Sequence, residues 1–311
     1  MFKILLITLL LTTLLITQCL CSENNEYLNL LDISNEDQIF MKELDNVVVV
    51  YTTFFDSNNN EDLSDILMIK DITQKSKFYH FEGHLSLTEY VLFVDPIYYS
   101  VIKTNGLNNN VYKGWAVVLC PGAIDLFQTY RKIIPKFLPH LFFPEADYYF
   151  YMDKSITFSD LFIDPFYLIH DLMLIESNDL MVVADTSKVT ESIMKRLLDV
   201  YEHKFTNFFC SINTTIIVRR NNEKCGIFSD LWFMYMVDLD IKPNNDQISY
   251  CWALNQFIPS YPDFSIGYLA SGKHFDEFFV STKKTELLSQ SLIQKIVFLI
   301  IIFFSFIFLF C

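Results

Sequence analysis

Six short apolar runs constrain this chain more than any other feature: residues 47–53, 90–94, 115–119, 148–152, 180–184 and 216–218. They are rich in β-branched or aromatic residues and apolar at successive positions, as strands buried on both faces are. Segments of helical spacing separate most of them, at 125–137, 160–177, 190–205 and 226–237. The order β, β, β, α, β, α, β, α, β, α predicts a doubly wound α/β fold, a mostly parallel sheet with helices on both faces. The asparagine clusters at 58–60 and 108–110 read as loops.

The ends of the chain do not belong to such a core. Met1-Phe2-Lys3 precedes an apolar run from Ile4 to about Thr17, and Cys19-Leu20-Cys21 gives a small-x-small pattern before Ser22. That reads as a signal peptide over 1–21; an uncleaved signal anchor is the competing reading, and both put the body of the chain in the lumen. Residues 22–44 form a lead-in, 45–280 one large domain, 281–295 a polar spacer and 296–311 an uninterrupted apolar tail. A small residue such as Ser281, a polar spacer and an apolar end fit a lipid-anchor signal. A short transmembrane segment is the alternative, although sixteen residues fall short of the roughly twenty that span a bilayer upright. Both readings associate the chain with a membrane in the secretory pathway.

Acidic residues outnumber basic ones by 37 to 23, giving a formal charge of −14, and no Lys/Arg run is present to neutralise a phosphate backbone. Nucleic acid is therefore excluded as a partner. Between the terminal segments lie Cys120, Cys210, Cys225 and Cys251. Cys210 with Cys225 is the most local disulfide open to them, and buried free thiols are the alternative. Metal-type Cys-x-x-Cys spacing is absent, as are a Gly-x-Ser-x-Gly elbow and a Gly-rich phosphate loop. Asn213-Thr214-Thr215 is the one glycosylation sequon.

Three of the predicted strands run into a carboxylate: Asp95, Asp153 and Asp185. In an open parallel sheet ligands bind outside the carboxyl ends of the strands, so such acids share one edge, where they suit a hard divalent cation and the diphosphate it would hold. Asp after a strand is also ordinary turn chemistry. Asp238-Leu239-Asp240 has metal-binding spacing but follows a helical stretch, and is read as a solvated turn. His140, between Pro139 and Pro144, is a candidate ligand or acid–base group, and His274 a second metal-ligand candidate.

The motif series then becomes specific. Residues 130–156 hold Arg131, Lys136, Pro139-His140, Phe143-Pro144 and a strand ending Tyr151-Met152-Asp153. Upstream stand Val49-Val50-Tyr51-Thr52, Tyr90 to Asp95 and Gly114-Trp115; downstream stand Ile217-Val218-Arg219, Leu231-Trp232 and Asn245-Asp246-Gln247-Ile248-Ser249-Tyr250. In this order, over about residues 45–257, the chain resembles the glycosyltransferase-like family of the plant turgor-regulation-defect and mucilage-related proteins. The resemblance implies a GT-A-like nucleotide-diphospho-sugar transferase fold and a nucleotide-sugar donor. It implies donor- or metal-binding by Asp153, with manganese or magnesium as the metal, and a catalytic base or acceptor contact at Asp246, with Asp185 beside it. Asp95 and His140 fall among the donor-binding candidates, and Lys136 and Arg219 would neutralise the departing diphosphate. The pattern departs from the family at Lys154, Asn245 and Ala184-Asp185-Thr186-Ser187, all near the implied site.

The expected function is thus a luminal glycosyltransferase of the Golgi membrane or cell surface, acting on a glycan, protein or lipid acceptor. A catalytically inactive, surface-tethered binding protein on the same fold is the alternative. A lipid hydrolase is weaker, for want of a nucleophile.

Overall fold

The computed structural model of the protein describes residues 45–55, 63–81, 84–120, 134–158, 165–170, 173, 177–184, 212–238, 246–270 and 279–281. The chain divides into two compact units, Met1–Asp45 and Asn46–Cys311. Of the first only Asp45 is described, so the signal-peptide reading lies outside the described residues, as do residues 282–311. Among the described residues no helix is long and apolar enough to cross a membrane.

The described residues of the second unit build a nine-stranded mixed sheet. Its strands are β1 (Asn46–Phe54), β2 (Phe78–Phe81), β3 (His84–Val94), β4 (Val111–Tyr112), β5 (Trp115–Leu119), β6 (Tyr148–Met152), β8 (Leu180–Ala184), β9 (Ile212–Arg220) and β10 (Ile266–Ala270). β7 (Ile156–Phe158) and β11 (Phe279–Ser281) form a separate antiparallel pair. Along the sheet the order is β10-β8-β9-β6-β1-β3-β5-β4, with β2 on β3. β1 lies parallel to β3 and β6, β3 to β5, and β10 to β8. β9 runs antiparallel to both β6 and β8. Six of the seven strands from β10 to β5 therefore point one way, and their carboxyl ends form one edge.

Alternation sorts the side chains. Tyr51, Tyr149, Tyr151, Val182 and Ile217 share one face with Phe137, Trp232, Tyr250 and Phe257. These come from α2 (Ile134–Phe137), α4 (Glu223–Asp238) and α5 (Asp246–Phe257). Val48, Val50, Phe150, Met181, Ile216 and Val218 share the other face with Tyr98, Ile102, Phe166 and Ile169 from α1 (Pro96–Thr104) and α3 (Pro165–Ile169). Apolar side chains on both sides of β1, β6 and β8 are the reason their sequences read as unbroken hydrophobic runs. Helices thus cover both faces, as expected.

β9 departs from this alternation near its start. Its register against β8 jumps from Val182↔Ile217 to Val183↔Asn213. Strict alternation would put Thr214 on the same face as Ile216 and Val218; instead Ile212 packs with Ile217 on the face of α4 and α5. Bulged registers of this kind re-aim side chains, and here they turn Thr214 toward α5.

The three described cysteines, Cys120, Cys225 and Cys251, are buried and not disulfide-bonded, and the Cys225 thiol donates to the Asp179 carbonyl at 3.0 Å. The Cys210–Cys225 bridge is therefore not formed. Cys225 has its polar partner within the core, and buried thiols were the other reading.

Candidate functional site at the carboxyl edge

Two groups of side chains occupy the carboxyl edge. The first is a buried cluster joining three elements distant in sequence. The Lys136 ammonium of α2 pairs with Asp246 Oδ2 at the start of α5. It also donates to Thr214 Oγ1 of β9 at 3.1 Å, and Thr214 Oγ1 in turn donates to Asp246 Oδ1 at 2.8 Å. Both Asp246 oxygens are thereby engaged. Lys136, Thr214 and Asp246 are all buried, at 7%, 5% and 3% exposure, so the ion pair is closed to bulk water. Neighbouring bonds hold it still: Trp232 Nε1 donates to the Asp246 carbonyl at 3.1 Å and to Ser249 Oγ at 2.9 Å, and Ser249 Oγ donates to the same carbonyl. Arg219 Nη1 donates to the Lys136 carbonyl at 2.8 Å.

Tyr151 links this cluster to the second group. Its ring lies 5.1 Å from the Lys136 ammonium. Burial pushes its phenol well above the usual range, and the charges of Asp153 and Asp246 act in the same direction. The phenol therefore stays protonated, with the Thr53 side chain as hydrogen-bond partner.

The second group is the turn after β6. Asp153 accepts on Oδ1 from Ser155 N at 2.9 Å and from Ser155 Oγ at 2.8 Å, while its own N–H donates to the Thr215 carbonyl at 2.7 Å. Asp153 is half-buried, next in the sheet to the strand that carries Thr214. Lys154 turns toward the other face: its ammonium stands 3.8 Å from Asp65 Oδ2 and 5.8 Å above the Tyr98 ring.

The remaining candidates do not join these groups. Asp95 is the N-cap of α1, its Oδ1 accepting from Ile97 N and Tyr98 N at 2.9 Å each. His140 sits in the 3-10 turn Pro139–Leu141 with Nε2 3.4 Å from Asp230 Oδ1 on α4. Arg219 is 1% exposed, its guanidinium 5.4 Å from the Trp232 ring. Burial lowers its pKa while Tyr51 and Cys225 oppose that shift. A buried guanidinium there holds the carbonyl of Lys136; it does not open on the carboxyl edge. Asp185 and His274 lie outside the described residues, as do Leu239 and Asp240, whereas Asp238 closes α4 in the open.

Thr214 and Tyr151 were not singled out by sequence reasoning as site residues. Tyr151 stood inside the strand-end motif, but Thr214 carried only the signal of a sequon, and a threonine re-aimed by a bulge leaves no trace in alternation. Asn213 itself accepts from Thr215 N at 2.9 Å within β9.

Among the described residues no three His, Cys, Asp or Glu side chains gather as a metal site would require. Asp153 offers one carboxylate whose Oδ1 already accepts two hydrogen bonds, and Asp95 is spent on a helix cap. Among the described residues these two carboxylates alone do not supply the several oxygen ligands that manganese or magnesium takes, and the metal-ligand candidates Asp185 and His274 lie outside the described residues.

An α/β unit with its polar side chains at the carboxyl edge of a mixed sheet defines the class as a glycosyltransferase-like domain once sequence comparison is added. The chain belongs to the family described as TOD1/MUCI70, glycosyltransferase-like domain, whose model matches residues 21–207. The matched residues include Asp95, Lys136, His140 and Asp153; Arg219, Trp232 and Asp246 lie beyond them. A crystal structure of mouse xyloside xylosyltransferase 1, apo form, is similar over 72% of this chain and 85% of that one, at 8% identity and a TM-score of 0.45. No curated protein matches the chain.

Proposed function

We propose that the protein is a luminal, membrane-associated glycosyltransferase of GT-A-like fold. It moves a sugar from a nucleotide-sugar donor to a glycan, protein or lipid acceptor at the Golgi membrane or cell surface. The observation that carries the reading is the arrangement of the carboxyl edge, where the half-buried Asp153 turn stands beside the strand that anchors Lys136 and Asp246. Ligands of open α/β sheets bind there.

In this reading the acceptor hydroxyl oxygen forms a bond to the anomeric carbon, the bond from that carbon to the diphosphate breaks, and the nucleoside diphosphate leaves. The hydroxyl proton passes to a base, for which Asp185, the residue after Ala184 in the sequence, is the candidate. Asp246 is a positioning residue, because both its oxygens are already bonded. Asp153 orients the donor through the oxygen it does not share with Ser155. Lys136 and Arg219, which the resemblance names for the departing diphosphate, are buried and bonded within the protein and hold the site's framework instead.

Calorimetry of the full chain in detergent against a panel of nucleoside diphosphates, with and without manganese, tests the proposal. Binding that is lost in Asp153→Ala supports it; no binding to any of them by a folded sample sinks it. The engaged state of Asp246 favours one second reading, a tethered binding protein without turnover. Donor binding without hydrolysis or transfer would select it.

A further inference from the structure

Two cations, Lys136 and Arg219, are buried side by side beneath α4 and α5, joined by the bond from Arg219 Nη1 to the Lys136 carbonyl. One carboxylate, Asp246, is buried with them, and both its oxygens are taken by Lys136 and Thr214. The buried Asp179 carboxylate at the start of β8 is engaged by Asn222 and by Ser265. Among the described residues the Arg219 guanidinium therefore has no carboxylate of its own. A guanidinium keeps its proton in a protein, and a charge taken out of water without a partner is strongly unfavourable.

The sheet register sets two phenols beside it. Tyr149 of β6 stands directly across from Arg219 of β9. Tyr51 lies on the same face of β1, two residues beyond Val49, the β1 partner of Tyr149. Arg219 is near enough to both phenols to oppose the rise that burial gives them, but their hydroxyls lie outside hydrogen-bond geometry. Arg219 Nε and Nη2, Tyr51 Oη and Tyr149 Oη thus have no hydrogen-bond partner among the described residues. Arg219, Tyr51 and Tyr149 are 1%, 0% and 2% exposed, so bulk water does not serve these atoms. Unsatisfied polar atoms gathered in one buried place point to a bound water or ion. All of these groups can donate, and the guanidinium can do nothing else. Their complement is an acceptor, and the unbalanced charge makes it an anion.

We infer that the core binds one small inorganic anion of the halide class, chloride under ordinary conditions, through Arg219 Nε and Nη2 and the hydroxyls of Tyr51 and Tyr149. Burial of all three side chains limits the occupant to a single-atom ion and shuts out a sugar phosphate. The ion balances the second buried cation and fixes the guanidinium that holds the α2 carbonyl at Lys136. Arg219 lies four residues along β9 from Thr215, whose carbonyl accepts from Asp153, so about 13 Å of strand separates this site from the Asp153 turn. The inference goes beyond the transferase reading and does not depend on it.

Urea unfolding of the full chain in a non-ionic detergent tests it, with sodium gluconate replaced stepwise by sodium chloride at constant ionic strength. An ion bound by the folded state alone raises the folded-to-unfolded ratio about tenfold for each tenfold rise in chloride once the site fills, and bromide should act alike. Tyr51→Phe/Tyr149→Phe keeps both rings and removes two donors that have no partner within the chain. That variant should need about tenfold more chloride for the same rise. In crystals of the full chain grown from bromide, an anomalous peak is expected beside Arg219 Nε and Nη2. Stability indifferent to chloride, a chloride dependence that the double variant leaves untouched, or density for water alone beside Arg219 would each overturn the inference. None of these outcomes bears on the calorimetric test of the donor site.

Discussion

Lys136 and Asp246 are 110 positions apart, yet each is the other's charge partner inside the protein. Removing one partner of a buried pair strands the other charge, which costs about 3–5 kcal/mol, whereas replacing both with apolar groups is much milder. Urea unfolding should therefore show Lys136→Met far less stable than the double variant Lys136→Met/Asp246→Leu. Equal loss in both would mean that the pair is not the element's anchor. Thr214→Val keeps the shape but leaves Asp246 Oδ1 without its donor, with an expected loss of about 1–3 kcal/mol. Asp95 gives the contrasting case. As a helix cap its change to Ala should cost about 1 kcal/mol of stability and leave nucleoside-diphosphate affinity unchanged, as measured by the same calorimetry. At this scale the sequence named most of the participants and little of their company. A strand-terminal aspartate looks alike whether it caps a helix, as Asp95 does, or folds back on a serine, as Asp153 does.

Elements were more legible than sites. The runs 115–119, 148–152 and 180–184 coincide with β5, β6 and β8; β6 and β8 are apolar at every position because they are covered on both faces. β9 extends four residues before the run 216–218, since Asn213, Thr214 and Thr215 hide its polar start. α1 was missed although Asp95-Pro96 is a cap followed by Pro at the first helical position, a signal that was there to be used. α5 begins on Asp246 and mixes polar and apolar residues without a clean stripe, and its helical state depends on packing against α4. One glycine is required by its element. Gly114, between β4 and β5, has φ +86°, and a Cβ there would sit 2.8 Å from both Ile72 Cγ1 and Thr73 N. Gly114→Ala should lower the unfolding free energy measured in urea by more than the roughly 1–2 kcal/mol that the left-handed conformation alone costs an L-residue, because backbone must also move. A neutral result would show that the segment 71–73 gives way freely.

For the molecule as a whole, burial of phenols and a thiol predicts how stability responds to alkali. Burial pushes the Cys225 thiol up to about 12, with Asp179 acting the same way. The Tyr149 phenol is likewise raised by burial. In the unfolded chain these groups lose protons near their ordinary values, about 8.5 for a thiol and 10 for a phenol, while the folded chain keeps them. The unfolded state then binds fewer protons, so stability is full below about pH 8.5 and falls as pH rises toward 12. Cys225→Ala should flatten the first part of that fall in urea titrations run from pH 8 to 10, after its own packing loss is subtracted at pH 7. An unchanged slope would place the thiol in contact with solvent.

The central position of β1 has a consequence for how the chain comes to be folded at all. The first described strand to be synthesised lies in the middle of the sheet, between β3, whose pairing residues begin at Ser86, and β6, whose pairing residues begin at Tyr148. Until about a hundred more residues have emerged, one edge of Val47-Val48-Val49-Val50 has no neighbour, and β6 in turn waits for β9. Pairings of such long sequence separation close slowly and leave apolar strand edges open meanwhile. A nascent chain halted before β6 should therefore be a client for chaperones rather than a folded half.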